Sequence, residues 1–310
     1  MTRFPFVGAL QATSLFLMTT ALLAETDDNK VAMKDIEPTL RPALVENVTA
    51  HYSYVGGSDL KSNGNGELTE QTSDFRYDLR VPINDTVGVG FGLGYNRIDF
   101  GTPENSFLPD SLETLNLGLL GYYKLSNDWS LFAMFGPRLN LINGWDEIEA
   151  KNVTWAGGFG AHYDFNKDLS IQFGLGLNPG TDRIPILPIL GVRWAFADKW
   201  TLNAGFPRTA IDYQLLSNLT LSLETSFLGG TYETSSTYGD TVGRPELNNR
   251  SLSYNEVRIG IGALYNLTKN VALELSTGAV VYREFDFKDT DYDPTVKPAP
   301  YVKTGVKISF

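Results

Sequence analysis

The last ten residues of the chain read Tyr301-Val302-Lys303-Thr304-Gly305-Val306-Lys307-Ile308-Ser309-Phe310 and alternate strictly in character. Successive side chains of an extended strand point to opposite faces, so one face holds the valines, the isoleucine, the threonine and the terminal phenylalanine. The other face carries two lysines, a glycine and a serine. An apolar face that ends on an aromatic ring suits a strand that meets lipid and finishes at a membrane interface.

Four of these residues also resemble a known signal. Val302, Val306, Ile308 and Phe310 are similar in spacing and type to the C-terminal signal of bacterial outer-membrane β-barrels. The resemblance implies that barrel-insertion machinery recognises the chain and that outer-membrane lipid surrounds it. We therefore expect an all-β fold, an antiparallel up-and-down transmembrane β-barrel in the bacterial outer membrane.

The first 24 residues are typical of a cleaved secretory signal peptide. A single early arginine is followed by an uncharged apolar stretch from 4 to 23, and Ala24 precedes an acidic run. An uncleaved anchor helix is the alternative, although polar residues interrupt the apolar stretch. We interpret residues 25 to 45, which do not alternate, as a flexible periplasmic leader, with a segment folded into the barrel as the alternative.

Composition excludes several classes of protein. The chain has no cysteine, which rules out a lipoprotein anchor, a disulfide scaffold and a cysteine metal site. The net charge of -11 makes nucleic acid an unfavourable partner. After the signal peptide, no apolar run reaches the roughly 20 residues that a membrane helix requires. If the chain spans a membrane, it does so with strands.

Residues 46 to 310 divide into alternating segments joined by short and long polar connections in turn. Tight turns such as Asn84-Asp85 and Asn166-Lys167-Asp168 alternate with long stretches such as 233 to 250. This asymmetry is typical of outer-membrane barrels, which have short periplasmic turns and long external loops. The segments predict fourteen strands, at 46–56, 67–82, 86–99, 112–125, 129–141, 152–165, 169–178, 187–197, 200–206, 209–216, 219–232, 251–267, 271–284 and 300–310.

Two observations bear on this count. An even number of strands places Phe310 on the periplasmic side with the tight turns. The pair around Phe206-Pro207-Arg208 is short and contains a proline, so twelve strands is the fallback. A soluble β-sandwich would also alternate, but it would not explain the signal peptide, the C-terminal ending or the aromatic residues gathered beside the tight turns.

Charged residues occupy the phase opposite to the apolar face. A charge facing hydrocarbon costs about 2–4 kcal/mol at the midplane, so we expect these side chains inside the barrel. Two interpretations remain open: ion pairs that fill the lumen, or a constriction for small polar solutes. A channel for hydrophobic substrates fits less well. The predicted lumen-lining residues are Asp74, Arg76, Asp78, Arg80, Lys124, Arg138, His162, Arg193, Arg208, Asp212, Glu224, Glu256, Arg258, Glu274, Lys303 and Lys307.

Sequence motifs for chemistry are weak. The glycines from Gly88 to Gly94 recur at every second position, which fits one face of a strand and not a phosphate-binding loop. His51 and His162 lack the nucleophile and orienting partner of a hydrolase, so we predict no enzyme activity and no cofactor. Asp289, Asp291 and Asp293 have the spacing of the start of a calcium loop without its glycine and distal glutamate, which makes them a weak metal candidate only.

The segment from Leu187 to Tyr232 resembles an uncharacterised bacterial outer-membrane β-barrel family, a domain of unknown function. The resemblance rests on Leu-Pro-Ile-Leu-Gly-Val-Arg-Trp, Trp-Thr-Leu-Asn-Ala-Gly-Phe-Pro-Arg-Thr, Asn-Leu-Thr-Leu and Gly-Gly-Thr-Tyr, and extends to Leu-Ser-Asn-Asp-Trp-Ser-Leu-Phe-Ala from Leu125. It implies a fold and a location and brings no catalytic residues. We predict a porin-like channel for small polar solutes. The alternative is a structural or surface-interaction barrel with a filled lumen.

Overall fold

The computed structural model describes residues 44–61, 66–103, 106–146, 148–177 and 186–310. The predicted signal peptide and all but the end of the predicted leader lie outside the described residues. No helix in these ranges is long and apolar enough to cross a membrane.

Fourteen strands form the wall, and each lies within a few residues of its predicted range. They are β1 (Val45–Asp59), β2 (Glu67–Pro82), β3 (Val87–Gly101), β4 (Ser111–Lys124), β5 (Trp129–Ile142), β6 (Val153–Asn166), β7 (Leu169–Leu177), β8 (Ile186–Ala197), β9 (Trp200–Gly205), β10 (Arg208–Leu216), β11 (Leu219–Glu233), β12 (Ser251–Asn266), β13 (Val271–Phe287) and β14 (Ala299–Ser309).

The strands form one closed antiparallel barrel in which each pairs with its neighbours in the sequence. The last strand closes the ring against the first, from Asn47 opposite Ser309 to Val55 opposite Tyr301. Closure gives every strand a partner on both sides, so none of the fourteen strands is an edge strand of the sheet. The predicted fold class and the count of fourteen are confirmed, and the terminal strand takes the place that its alternation indicated.

Alternation sorts the side chains into an apolar exterior and a mixed interior. Neighbouring residues on β4 illustrate this, since Leu119 is 66% exposed on the outside while Leu120 is 5% exposed on the inside. On β12, Ile259 and Ile261 are likewise exposed on the outer face. This belt has the character of a surface that meets hydrocarbon rather than water.

Polar side chains fix the tight turns at one end of the barrel. Asn84 Oδ1 accepts hydrogen bonds from the backbone N–H groups of Thr86 and Val87, each at 2.8 Å. Asn166 Oδ1 does the same for Asp168 and Leu169, at 2.8 and 3.0 Å. A short amide side chain can satisfy these amides without another strand, which is why asparagine stands at such turns.

At the opposite end the longer connections fold together. They contain a short helix, α1 (Tyr238–Thr241), and single 3-10 turns at Ala150–Asn152 and Pro245–Leu247. Buried apolar side chains from these loops and from the upper strand ends form one cluster, termed here the outer layer: Leu60, Leu68, Ile98, Phe100, Leu108, Leu112, Tyr232, Tyr238, Leu247, Leu252, Tyr254, Phe285, Phe287, Tyr292 and Val296.

The wall is not uniform in height. β9 and β10 have 6 and 9 residues, whereas the flanking β8 and β11 have 12 and 15. The two short strands meet at Phe206-Pro207, where proline lacks the N–H that a longer ladder needs. The place that made the strand count uncertain is therefore where the wall is lowest.

Candidate functional site in the barrel lumen

All sixteen predicted lumen residues lie on inward faces. Asp78 and Arg80 are buried beside the tight-turn end of β2, and Lys124, His162, Arg193 and Lys307 lie at the same end of other strands. Arg138 lies higher on β5, where its Nε donates to Asn116 Oδ1 at 2.8 Å. The remaining nine fall into two groups. Seven lie around the middle of the lumen: Asp74, Arg76, Arg208, Asp212, Glu224, Glu274 and Lys303. The other two, Glu256 and Arg258, lie beneath the outer layer.

Beneath the outer layer, charged residues of opposite walls meet. Arg258 Nη2 on β12 donates to Glu70 Oε1 on β2 at 2.8 Å, and Arg258 also pairs with Glu256. Arg283 Nε donates to Glu256 Oε2 at 3.0 Å. The Tyr254 hydroxyl lies 2.7 Å from one oxygen of each carboxylate. Two acids and two bases thus form a neutral group, the cross-lumen cluster, and all four side chains are almost fully buried.

Sequence reasoning missed two members of this cluster, Glu70 and Arg283. Glu70 is in the same phase of β2 as Asp74, and extending the alternation upward would have found it. Arg283 could not be found this way, because the register between β12 and β13 shifts at Val281. A bulge of one residue moves all later side chains of a strand to the opposite face. Arg283 therefore points inward although the lower alternation of β13 would place it outside.

The middle of the lumen holds a second charged group around His51. His51 Nε2 lies 2.6 Å from Glu274 Oε2, and its Nδ1 lies 3.5 Å from Asp74 Oδ1. Lys303 Nζ donates to the other oxygen of Glu274 at 3.2 Å. The ring has room because Gly305 lies opposite it, where a Cβ would collide with the imidazole. Glycine here permits a bulky neighbour to occupy the inner surface of the wall.

Next to this group is a cavity of about 190 Å³. Arg208 borders it and donates from Nε to Glu224 Oε2 at 2.7 Å. Four basic side chains line the cavity: Arg76, Arg208, Arg258 and Lys303. The acidic side chains of Asp74 and Glu224 line it as well, together with His51. Phe227 and Leu228 give it one apolar side. A larger cavity of about 330 Å³ lies at the tight-turn end, bordered by Asn47 and Lys307.

One part of the inner wall is apolar, which differs from the predicted, largely polar interior. Leu120, Phe132, Met134 and Ile189 are buried together on the inner faces of β4, β5 and β8. Phe206 packs against them from the turn between β9 and β10. Across the ring from this apolar patch lie strands β12, β13 and β14, which carry Arg258, Glu274 and Lys303. The lumen is therefore amphipathic in cross-section.

Loops secure the outer layer above both groups. The Arg244 guanidinium lies 5.2 Å from the ring centre of Phe107 and 5.1 Å from that of Tyr292, which joins three connections by cation–π contacts. Tyr238 Oη donates to the Phe107 carbonyl at 2.8 Å. Burial raises the pKa of Tyr238, so the phenol remains a neutral donor. The outer layer thus covers the side of the lumen that runs around the ring from β11 through β14 and β1 to β4.

The weak metal candidate does not form a site. Asp289, Asp291 and Asp293 lie on the loop between β13 and β14, where all three are exposed and Tyr292, between Asp291 and Asp293, is buried. In the described part of the chain, no three histidine, cysteine, aspartate or glutamate side chains converge as metal ligands would.

Solved outer-membrane barrels are similar to this chain over most of its length. A FadL homologue from Pseudomonas aeruginosa is 11% identical with a TM-score of 0.45, and the match covers 86% of this chain and 90% of that one. The P. putida toluene transporter TodX is 8% identical with a TM-score of 0.43, covering 87% and 90%. The KdgM porin is 11% identical with a TM-score of 0.34, covering 85% and 99%.

At these identities the likeness concerns the fold alone, which resembles that of bacterial outer-membrane porins and transporters. No curated protein is similar enough to count as a match. One family model does match, over residues 47–309 and hence over the whole barrel. The chain therefore belongs to the family described as Domain of unknown function (DUF6268).

Proposed function

We propose that this protein resides in the bacterial outer membrane and passes small polar solutes selectively through its lumen. The observation that carries the proposal is the cavity of about 190 Å³ in the middle of the barrel, lined by charged side chains of both signs. Charged groups arranged around a narrow passage select solutes by charge and size.

The outer-membrane location is supported by the exterior and by the ends of the chain. An exposed apolar belt surrounds the closed barrel, and no charged side chain interrupts the series from Val89 to Leu93 on β3. The resemblance of the last residues to an insertion signal agrees with this belt.

Selective rather than open passage is supported by the two obstructions. The outer layer and the cross-lumen cluster both lie on the route that runs straight through the barrel. A solute would have to bind among the lumen charges before it moves on. Among the described residues, the side-chain contacts of His51 are to the carboxylates of Asp74 and Glu274, which favours passage over hydrolysis.

A structural barrel without transport is the second candidate. Arg258 ties β12 to β2 across the lumen, and such a brace stabilises a wall whether or not anything passes. In that case the loops of the outer layer would serve as the contact surface.

Conductance of the refolded protein in a planar lipid bilayer distinguishes the two. Passage predicts discrete current steps whose anion preference falls in Arg208→Gln, because this arginine borders the cavity. Arg97→Gln is the matched control, since Arg97 pairs with Asp99 and Glu113 on the outer face. Absence of current steps at every voltage, together with no swelling of vesicles in sugar solution, would contradict passage and favour the structural barrel.

A further inference from the structure

Among the described residues, no strand pairing continues above the low wall at β9 and β10. The pairing of β8 with β9 ends at Gly191 opposite Gly205, so Ile186 to Leu190 have no partner from β9. On the other side, β10 and β11 end their pairing at Arg208 opposite Ser226. One further hydrogen bond joins the Phe227 N–H to the Pro207 carbonyl at 2.9 Å. Above this point, no described residue pairs with β11 on that side.

The upper end of β11 is drawn toward the opposite wall instead. The Tyr232 hydroxyl lies 3.2 Å from Thr114 Oγ1 on β4. Asn152 Nδ2 donates to the Glu233 carbonyl at 3.5 Å. β11 therefore leans over the lumen and away from the top of the β9–β10 hairpin. The residues of the outer layer come from β2 to β4, from β11 to β13 and from their loops. The side of the barrel above Phe206-Pro207 contributes no described residue to this layer.

Strand length places the gap at membrane depth. A strand rises about 3.3 Å per residue and is tilted by roughly 40°, so the six residues of β9 reach about 15 Å and the nine residues of β10 about 23 Å along the membrane normal. The apolar band of such barrels is about 25 Å tall. Trp200, at the tight turn, starts β9 at the lower edge of this band. The gap then begins within the hydrocarbon and not above it.

Unpaired backbone at that depth is tolerated only where it lines a cavity. The central cavity of about 190 Å³ lies directly behind the gap, since Pro207, Phe227 and Leu228 line it. The Phe206 and Phe227 rings, 5.3 Å apart, form an apolar sill at its lower edge. On the lumen side, Phe206 also contacts the apolar patch.

We infer that this gap is a lateral portal through which small amphipathic molecules move between the lipid and the lumen. The apolar part of the molecule would lie along the sill and the apolar patch. Its polar part would face the charged side of the cavity, where the guanidinium groups of Arg76 and Arg208 can donate hydrogen bonds to an anionic group. The inference narrows the solute class of the proposed passage and rests on that function for its physiological meaning. The portal itself can be tested without transport.

Because the chain has no cysteine, single thiols report on the portal directly. Leu228→Cys and Ser222→Cys both place a thiol on the inward face of β11, but only Ser222 has a β10 residue beside it, Asp212. Leu223→Cys is the lipid-facing reference. Each variant is refolded into phosphatidylcholine vesicles with pyrene maleimide in the lipid, and glutathione in the water destroys escaped reagent. Heat-modifiable migration on gels verifies folding of all three.

A portal predicts that Leu228→Cys reacts nearly as fast as Leu223→Cys and about tenfold faster than Ser222→Cys, because thiol labelling follows access. Equal slow labelling of the two inward thiols would overturn the portal. Octanesulfonate should then slow labelling of Leu228→Cys, whereas ethanesulfonate, with the same head group and a short tail, should not. Equal protection by both would overturn the amphipathic class. Loss of conductance would contradict the proposed passage but would leave the labelling result unchanged.

Discussion

The guanidinium of Arg258 on β12 donates to the carboxylate of Glu70 on β2, at 2.8 Å across the lumen, although nine strands of the ring separate them on one side and three on the other. Tyr254 and Arg283 complete the group beneath the outer layer. This contact braces two walls that share no ladder. Because all four charged side chains are buried, removal of one partner would leave an uncompensated charge away from water.

Removal of Arg258 should destabilise the barrel strongly. Arg258→Met leaves the carboxylates of Glu70 and Glu256 under-compensated in a dry environment, which costs about 3–5 kcal/mol of unfolding free energy. Urea unfolding in lipid vesicles, followed by tryptophan fluorescence, measures the loss. Lys297→Met is the control, because the Lys297–Asp59 pair is more than half exposed and such pairs contribute about 1 kcal/mol or less. Equal losses in both variants would contradict the brace.

Arg244 should hold the three outer connections together. Arg244→Ala removes cation–π contacts with Phe107 and Tyr292, each worth about 0.5–1 kcal/mol when partly exposed. We expect faster cleavage of the loops by proteinase K in intact vesicles, with the barrel itself unaffected. Glu246→Gln removes the exposed ion partner of Arg244 and should leave cleavage almost unchanged. Faster cleavage in the glutamine variant alone would assign the restraint to the ion pair instead.

Glu274 should influence the charge preference of any passage. Its carboxylate faces both His51 and Lys303, so Glu274→Gln leaves positive charge uncompensated in the lumen. The reversal potential in a KCl gradient should shift toward anions, with a change in permeability ratio of roughly a few-fold. Asp59→Asn removes an acid on the exposed rim and serves as the control. A shift of the same size in the control would place the selecting charges outside the lumen.

The terminal phenylalanine should matter for assembly more than for stability. Phe310 is 68% exposed, and its N–H donates to the Glu46 carbonyl at 2.9 Å. Deleting it should lower the fraction of protein that reaches the outer membrane in a heat-modifiable form. Ser309→Ala is the matched control, since it removes an inward hydrogen bond to Asn47 and leaves the ending intact. Normal assembly without Phe310 would contradict its role as an insertion signal.

Local patterns predicted most of the fold. The phase of β4 assigned Leu119 outside and Leu120 inside, because burial on a two-sided wall enforces strict alternation. Turn composition at Asn84 predicted a tight turn through hydrogen bonds that the residue makes within its own neighbourhood. The sixteen charged candidates could be assigned to one face for the same reason. Each of these inferences depends only on residues close together in the sequence.

The site required the tertiary structure. Arg283 changes face at a bulge that no residue type announces, and Glu70 meets Arg258 only because the ring closes at a particular register. The apolar patch combines strands β4, β5 and β8, whose alternation reads as ordinary wall when each is taken separately. The proline at Pro207 indicated a weak strand pair, but not a wall that ends beside a cavity.

The sequence by itself determined the strands, the inward and outward faces and the turns, since these follow from the two-residue period and from local hydrogen bonding. Only the tertiary structure decided which inward residues meet, how the loops cover the lumen and where the wall is low. Those features depend on the register of fourteen strands around a closed ring and on contacts between distant segments. The terminal strand β14 depended on both levels. Its alternation in the sequence predicted a membrane-facing strand, and the tertiary structure showed that its pairing with β1 closes the barrel.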